Sequence, residues 1–298
     1  MSGGEDMPMT GLPDAPPADH PFLPADTFAG DVVLVTGGGT GLGKAMALMF
    51  ARMGARVAIA SRKAEHREAG LAALEAAGAR ACAVPLDVRD PAQISAAFDA
   101  IEAELGPVTI LVNNAAGRFM APAEDISPNG WRAVSQIVMD GTFFCSQELH
   151  RRRLAAGGEG AILNIGATFA FNGGPGSVHS AAAKAAVDNM TKTLAVEWAI
   201  DGIRVNTLAP GWFPHDESAA HMKGPWREGK ERQMPGGRPG RLQELAWAAC
   251  FLCSPFARYI SGHTLVIDGA NWLRHRASHS EPFVPVRDWA RRKPEGEA

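Results

Sequence analysis

The chain alternates short, wholly apolar runs with longer stretches of helical spacing. Asp31-Val-Val-Leu-Val-Thr36 is the first apolar, β-branched run. It passes through a glycine-rich turn into Lys44-Ala-Met-Ala-Leu-Met-Phe-Ala-Arg52, which has helical spacing and no breaker. The pattern next predicts a strand at 56–60, a helix over 64–77 stopped by Gly78, and a strand at 81–86. Asp90-Pro91 reads as an N-cap followed by an N1 proline, opening a helix that runs to Leu105. A fourth strand follows at 108–112, and Ser127-Pro128 caps a long helix to about Ala155. Strands at 160–165, 203–208 and 264–268 are predicted around an Ala-rich helix over 178–199. Short strands that are apolar throughout are buried on both faces, so this order predicts a parallel sheet covered by helices on both sides.

Two stretches break the rhythm. Residues 1–27 hold prolines at 8, 13, 16, 17, 21 and 24 and read as a flexible leader, with Pro21-Phe-Leu-Pro24 placed to pin its end. Residues 211–240 are rich in Gly and Pro and carry His215, Asp216, His221, Lys223 and Arg227. They follow the carboxyl end of strand six, where open α/β sheets bind ligands, and read as a substrate lid or as a plain surface loop. The main domain then spans 28–271. The tail, 272–298, is basic and aromatic and suits contact with ligand phosphates, with a neighbouring subunit, or with solvent.

Composition changes this picture little. The 298 residues are 46% hydrophobic and 20% charged, which is ordinary globular usage, and a net charge of −3 gives no reason to expect nucleic acid. Cys250 and Cys253 lie in the apolar stretch Leu245-Ala-Trp-Ala-Ala-Cys-Phe-Leu-Cys253 and read as core thiols, so no metal site is expected. Neither a signal peptide nor a membrane span is visible, and the expected location is cytoplasmic.

The candidate chemistry sits at the strand ends. Thr36, Gly37, Gly39, Thr40, Gly41, Leu42 and Gly43 form a glycine turn between a strand and a helix, the context a dinucleotide fingerprint requires. Some glycines permit positive φ, and others let a diphosphate approach backbone at the helix N-terminus. The expected fold is a single doubly wound Rossmann-type α/β domain, its seven-stranded parallel sheet ordered 3-2-1-4-5-6-7. Strand two ends in Ser61-Arg62-Lys63, without the carboxylate that takes the ribose hydroxyls of NAD. Arg62 would accept a 2′-phosphate, so the expected cofactor is NADP(H). Asp87-Val88 closes strand three, where a carboxylate can meet the adenine amino group. Asn113-Asn114-Ala115-Ala116-Gly117 closes strand four, and Pro210-Gly211-Trp212 closes strand six beside the expected nicotinamide.

These motifs, together with Lys184, resemble the short-chain dehydrogenase/reductase superfamily over residues 31–270 or so. Phe22-Leu-Pro24, Gly37 through Lys44, Ile59-Ala-Ser-Arg-Lys63, Asp87 through Pro91, Ile126-Ser-Pro-Asn129 and Phe251-Leu-Cys-Ser254 look like the 2,4-dienoyl-CoA reductases within it. The segments Val178-His-Ser through Trp198 and Ala209-Pro-Gly211 resemble the peroxisomal-type members. The resemblance implies an NADPH-dependent reductase of unsaturated acyl-CoA thioesters, with a homotetramer as the usual assembly. It also implies that Lys184 holds the nicotinamide ribose, and that Lys184 and Ser180 position a proton-delivering water.

The departures are as informative. The superfamily's catalytic Tyr position is Ser180, and its usual Ser position is Ala167. The chain's single tyrosine, Tyr259, is remote in sequence, so a ketone–alcohol dehydrogenase would lack its phenol. Where mitochondrial-type members place a Tyr and an Asn that donate to the thioester oxygen, this chain has Phe169 and Asp140. Three readings of Asp140 stand: a protonated donor or acid in an apolar pocket, a partner of Arg118, or a solvated carboxylate. Arg118 is also a candidate for binding the thioester oxygen itself. Arg118, Phe119, Phe169 and His179 complete the expected substrate site, with His179 either orienting solvent or serving structure alone. A catalytically silent NADP-binding protein, or a reductase of another small carbonyl such as a 3-oxoacyl thioester, are the alternatives.

Overall fold

The computed structural model describes residues 12–20, 22–215 and 234–273. Seven strands form one parallel sheet in the order β3-β2-β1-β4-β5-β6-β7, as the alternation predicts. They are β1 (Val32–Thr36), β2 (Arg56–Ser61), β3 (Ala81–Pro85), β4 (Ile110–Asn113), β5 (Gly160–Ile165), β6 (Ile203–Pro210) and β7 (Thr264–Ile267). The strand order reverses between β1 and β4, where Val33 pairs with Ile110 on one side and with Val57 on the other. That reversal leaves a crevice at the carboxyl ends of the strands, the usual ligand position in such sheets.

Strand side chains alternate between two cores. Val33 and Val35 pack under α1 (Gly41–Arg52) and α8 (Leu242–Cys253). Val32 and Leu34 pack on the other face, against α3 (Pro91–Leu105), α5 (Gly141–Ala156) and α7 (Val178–Glu197). Helix α2 (Ala64–Ala76) crosses from β2 to β3, and the short α6 (Phe169–Asn172) follows β5. Cys250 and Cys253 are buried in the first core, and all four cysteines are free thiols. The caps act as the sequence implied: Asp90 accepts from the amides of Ala92 and Gln93, and Ser127 Oγ accepts from the amide of Gly130.

The long helix expected from Ser127 to about Ala155 is interrupted. Helix α4 (Pro128–Ser135) passes through a π turn, Gln136–Asp140, into α5. Two features fix the junction. A Cβ on Gly141 would sit 2.6 Å from Val88 Cγ2, so only glycine lets α5 close on the end of β3. Thr142 Oγ1 then donates back to the Val138 carbonyl at 2.7 Å, a side-chain bond that bends a helix. Wider turns of this kind recur at functional sites.

The described part of the leader lies against α8 and the segment before it. Arg241 pairs with Asp14 at 2.8 Å, Arg238 donates to the Pro13 carbonyl, and the Phe22 ring sits 6.1 Å from that of Trp247. Residues 216–233, most of the expected lid, and the tail from 274 onward lie outside the described residues.

Candidate active site

The nucleotide half of the site is built from backbone. Gly37 and Gly41 adopt φ of +65° and +50°, conformations that favour glycine. Thr36 Oγ1 accepts from the amides of Asn114 and Ala115, and Asn114 Nδ2 donates to the carbonyls of Thr36 and Gly37. These bonds lock the end of β1 to the end of β4 and hold the glycine turn open over the crevice. Thr40 makes no side-chain cap on α1, and no acid occupies the first turn. The uncapped amides and the positive end of the helix dipole therefore suit a diphosphate.

Gly39 serves packing instead. Its Cβ would lie 2.1 Å from the His66 carbonyl oxygen, and a Cβ on Gly70 would meet Gly39 in return, at 2.6 Å from its Cα. A Cβ on Gly43 would lie 2.3 Å from the Gly37 carbonyl oxygen. Leu42 packs on the α1 side of the core.

At the end of β2, Arg62 is exposed and stands 4.0 Å from Asp87, while Lys63 stands at the start of α2 and pairs with Glu65. Asp87 is gripped by Arg89 at 2.5 Å, and this pair holds its carboxyl below the usual range. Val88 is buried against the α4–α5 junction. Ala116 and Gly117 continue the floor laid by Asn114 and Ala115, with Gly117 close to Ile137.

The other half is built from side chains on distant elements. Ser180 and Lys184 share one face of α7 and are 3% and 7% exposed. Lys184 Nζ donates to the Ile165 carbonyl at the end of β5. Burial pushes the ammonium down to about 8. Ala167 is buried and Phe169 opens α6, so neither family position donates a hydrogen bond. Arg118 lies 6.0 Å from the Phe169 ring, and Phe119 packs on the His179 ring at 4.3 Å, so the four expected substrate residues form one cluster.

Asp140 is not brought to that cluster. Gln136, Asp140, Phe144, Glu148 and Arg152 repeat every four residues along the stripe that meets α3, where Arg152 pairs with Asp99 and Glu102. Asp140 lines a recess of about 450 Å³ with Asp87, Arg89, Asp90, Gln93, Gln136 and Phe144. Val138, two positions earlier, packs instead on Ala183 and Val187 of α7.

Past β6, the Gly211 amide donates to the Ile267 carbonyl, and a Cβ there would clash with Asp268 at 2.4 Å. The Trp212 carbonyl accepts from Gly240 at 3.0 Å. The chain then brings the His215 ring over the glycine turn, 3.0 Å from where a Gly41 Cβ would lie.

One set of residues escaped the sequence reasoning. Asn113 Nδ2 donates to Ser146 Oγ and to Asn164 Oδ1, Asn164 Nδ2 donates to Thr191 Oγ1, and Thr191 Oγ1 shares a bond with Thr207 Oγ1. This buried polar chain crosses β4, β5 and β6 and ties them to α5 and α7 beneath Ser180 and Lys184. Its available signal was a polar residue inside an otherwise apolar strand, as with Asn164 in Gly160-Ala-Ile-Leu-Asn-Ile165.

A sheet of this order, with a glycine turn after β1 and a buried α7 lysine bonded to the end of β5, defines a class of nucleotide-dependent oxidoreductases. The family model described as enoyl-(acyl carrier protein) reductase matches residues 37–270. A probable 2,4-dienoyl-CoA reductase, (2E)-enoyl-CoA-producing, from Bacillus subtilis (strain 168) is 41% identical over 245 residues, covering 81% of this chain and 96% of that protein. The peroxisomal 2,4-dienoyl-CoA reductase, (3E)-enoyl-CoA-producing, of Rattus norvegicus is 40% identical over 257 residues, covering 85% of this chain and 87% of that one. A gluconate 5-dehydrogenase from Burkholderia cenocepacia J2315, solved in complex with NADP and tartrate, is 33% identical with a TM-score of 0.77, covering 83% of this chain and 97% of that one. The chain belongs to the short-chain dehydrogenase/reductase family and is an oxidoreductase that resembles the 2,4-dienoyl-CoA reductases. No helix among the described residues is long and apolar enough to cross a membrane.

Proposed function

We propose that the protein is an NADPH-dependent reductase of unsaturated acyl-CoA thioesters, of the 2,4-dienoyl type. The observation that carries this reading is the buried Ser180–Lys184 pair on α7 in a site without a phenol. Tyr259 is fully exposed and follows α8, far along the chain from the pair. A ketone needs an acid at its oxygen as hydride arrives. A conjugated thioester spreads that charge to its own oxygen and takes its proton on carbon, so water held by Ser180 and Lys184 suffices.

Residues 36–43 would hold the diphosphate, and Arg62, with Ser61 and Lys63, the 2′-phosphate. Asn114 through Gly117 and Pro210 through Trp212 would line the nicotinamide, and Lys184 would hold its ribose. When bound, the reduced nicotinamide supplies the hydride. Lys184 orients the ribose and the water, and Ser180 fixes that water's second hydrogen bond. Asp140, on the α3 side, is assigned no step.

A homotetramer completes the reading. It is supported by the exposed apolar side chains Leu154, Val196 and Ile200 at the ends of α5 and α7; light scattering checks it.

The test is loss of NADPH absorbance with a panel of dienoyl-CoA, enoyl-CoA and free carbonyl substrates. Turnover confined to conjugated thioesters is expected. Turnover only of free carbonyls overturns the reading, and NADPH binding without any turnover leaves a silent nucleotide-binding protein, the alternative favoured by Phe169 and by the position of Asp140.

A further inference from the structure

His179 immediately precedes Ser180 on α7 and is 1% exposed. Among the described residues, neither Nδ1 nor Nε2 has a hydrogen-bond partner. A buried polar group without a partner costs stability, and a native protein keeps one where strain, an ordered water or ion, or a catalytic role accounts for it. The cover over His179 is thin on one side. The Phe119 ring packs on it at 4.3 Å, yet Phe119 is itself 40% exposed, and Met120 beside it is 57% exposed. Both belong to the stretch that continues from Asn114–Gly117, the proposed floor of the nicotinamide site. Movement of the Phe119 side chain would therefore uncover the imidazole toward the Arg118–Phe119 side of the cluster.

The same site lacks oxygen-directed donors at the two positions where related enzymes carry them. Phe169 has no donor, and Asp140 is turned to α3. We propose that His179, as a neutral imidazole, donates the hydrogen bond that stabilises the thioester oxygen of the bound substrate. This inference rests on the thioester-reductase reading above. Burial, reinforced by the Arg118 guanidinium, lowers the affinity of His179 for a second proton, so the ring stays neutral and keeps one N–H to donate.

The test compares His179→Phe, His179→Gln and the unmodified protein. If His179 donates, H179F lowers the single-turnover rate of NADPH oxidation by about 10²–10³-fold, the usual effect of removing one oxyanion donor. Its NADPH dissociation constant stays within about twofold, a change of about 0.4 kcal/mol, because His179 lies outside the nucleotide half. Its unfolding midpoint is equal or higher, because the phenyl ring removes two orphaned polar atoms. H179Q restores part of the rate through its amide N–H.

A purely structural histidine gives the reverse pattern, with H179F at an unchanged rate, and that result overturns the proposal. A second measurement covers the case in which H179F fails to fold. Addition of octanoyl-CoA, a saturated thioester that cannot be reduced, to the 15N-histidine-labelled protein with NADP⁺ should shift the His179 ring resonances. An unmoved signal at saturating thioester overturns the proposal even where the unmodified enzyme turns over. An unmodified protein that reduces no thioester sinks the reading beneath it instead.

Discussion

The two halves of the site are made in different ways. The nucleotide half, β1 to β4 with α1 and α2, is held by main chain: glycine conformations, uncapped amides and the Thr36–Asn114 clamp. The other half, proposed as the acyl site, is held by side chains from β5, α6, α7 and the stretch after β4, and among the described residues it contains a desolvated lysine and a histidine with no hydrogen bond. The first half is preorganised, with the uncapped α1 amides left facing the crevice. The second carries polar groups that burial leaves only partly compensated. A preorganised cradle beside a polar cluster waiting for its partner is what selective catalysis requires, because interactions completed only in the reacting complex favour the transition state.

Breaking the acyl half should give the largest effect. Lys184→Met is expected to lower single-turnover reduction by about 10²–10⁴-fold, the usual range for losing a positioned proton-handling group. The same change should leave the ligand-free protein as stable or more so. Lys184 titrates near 8 when folded against an ordinary value of 10.5, so between those two values the unfolded chain binds more protons. Stability therefore rises with pH across that window. Below it the full penalty stands, about 3 kcal/mol by linkage. Urea unfolding at pH 7 and pH 10 checks this: the pH-dependent rise should be smaller in K184M than in the unmodified protein.

The buried polar chain beneath both halves comes next. Asn164→Ala removes bonds to Asn113 and Thr191 at a fully buried position. It should cost about 2–4 kcal/mol in denaturant unfolding. A loss under about 0.5 kcal/mol would show that water replaces the amide.

Breaking the nucleotide half at its exposed edge should be milder. Arg62→Ala should weaken NADPH about 10- to 100-fold, the worth of one charge-assisted contact, and leave NADH almost unchanged. Equal weakening of both in calorimetry would remove the 2′-phosphate role. The smallest effect should come from Asp140→Asn, expected to change the single-turnover rate by less than about twofold, as for a surface substitution away from the chemistry. A tenfold loss would return Asp140 to the reacting centre and erase the contrast drawn between the two halves.

Much of the nucleotide half was legible in sequence because its determinants are local. Gly37 through Gly43 follow an apolar strand and open a helix, and glycine spacing reports backbone directly. Asp90 and Ser127 were legible as caps for the same reason, since a cap bonds amides only two or three residues away. The acyl half was legible in membership but not in arrangement. Ser180 and Lys184 could be paired because one helix carries both. Asp140 could not be oriented, because a helix face is fixed only by what packs on either side: Val138 against α7, and the stripe of Phe144, Glu148 and Arg152 against α3. The π turn escaped because its cause, the approach of Gly141 to Val88, joins residues far apart in the chain.

The amino-acid sequence by itself determined the alternation of strands and helices, the parallel sheet and its order, the glycine cradle, the absence of a phenol near Lys184 and the family. Each of these is written in neighbouring residues or in a spacing repeated along one element. Tertiary structure alone decided that Gly39 serves packing, that Asp140 faces α3, that Asn113, Asn164 and Thr191 form one chain, and that His179 lies buried with no hydrogen bond among the described residues. Those facts depend on which distant surfaces meet, and burial and hydrogen bonding acquire values only once they do.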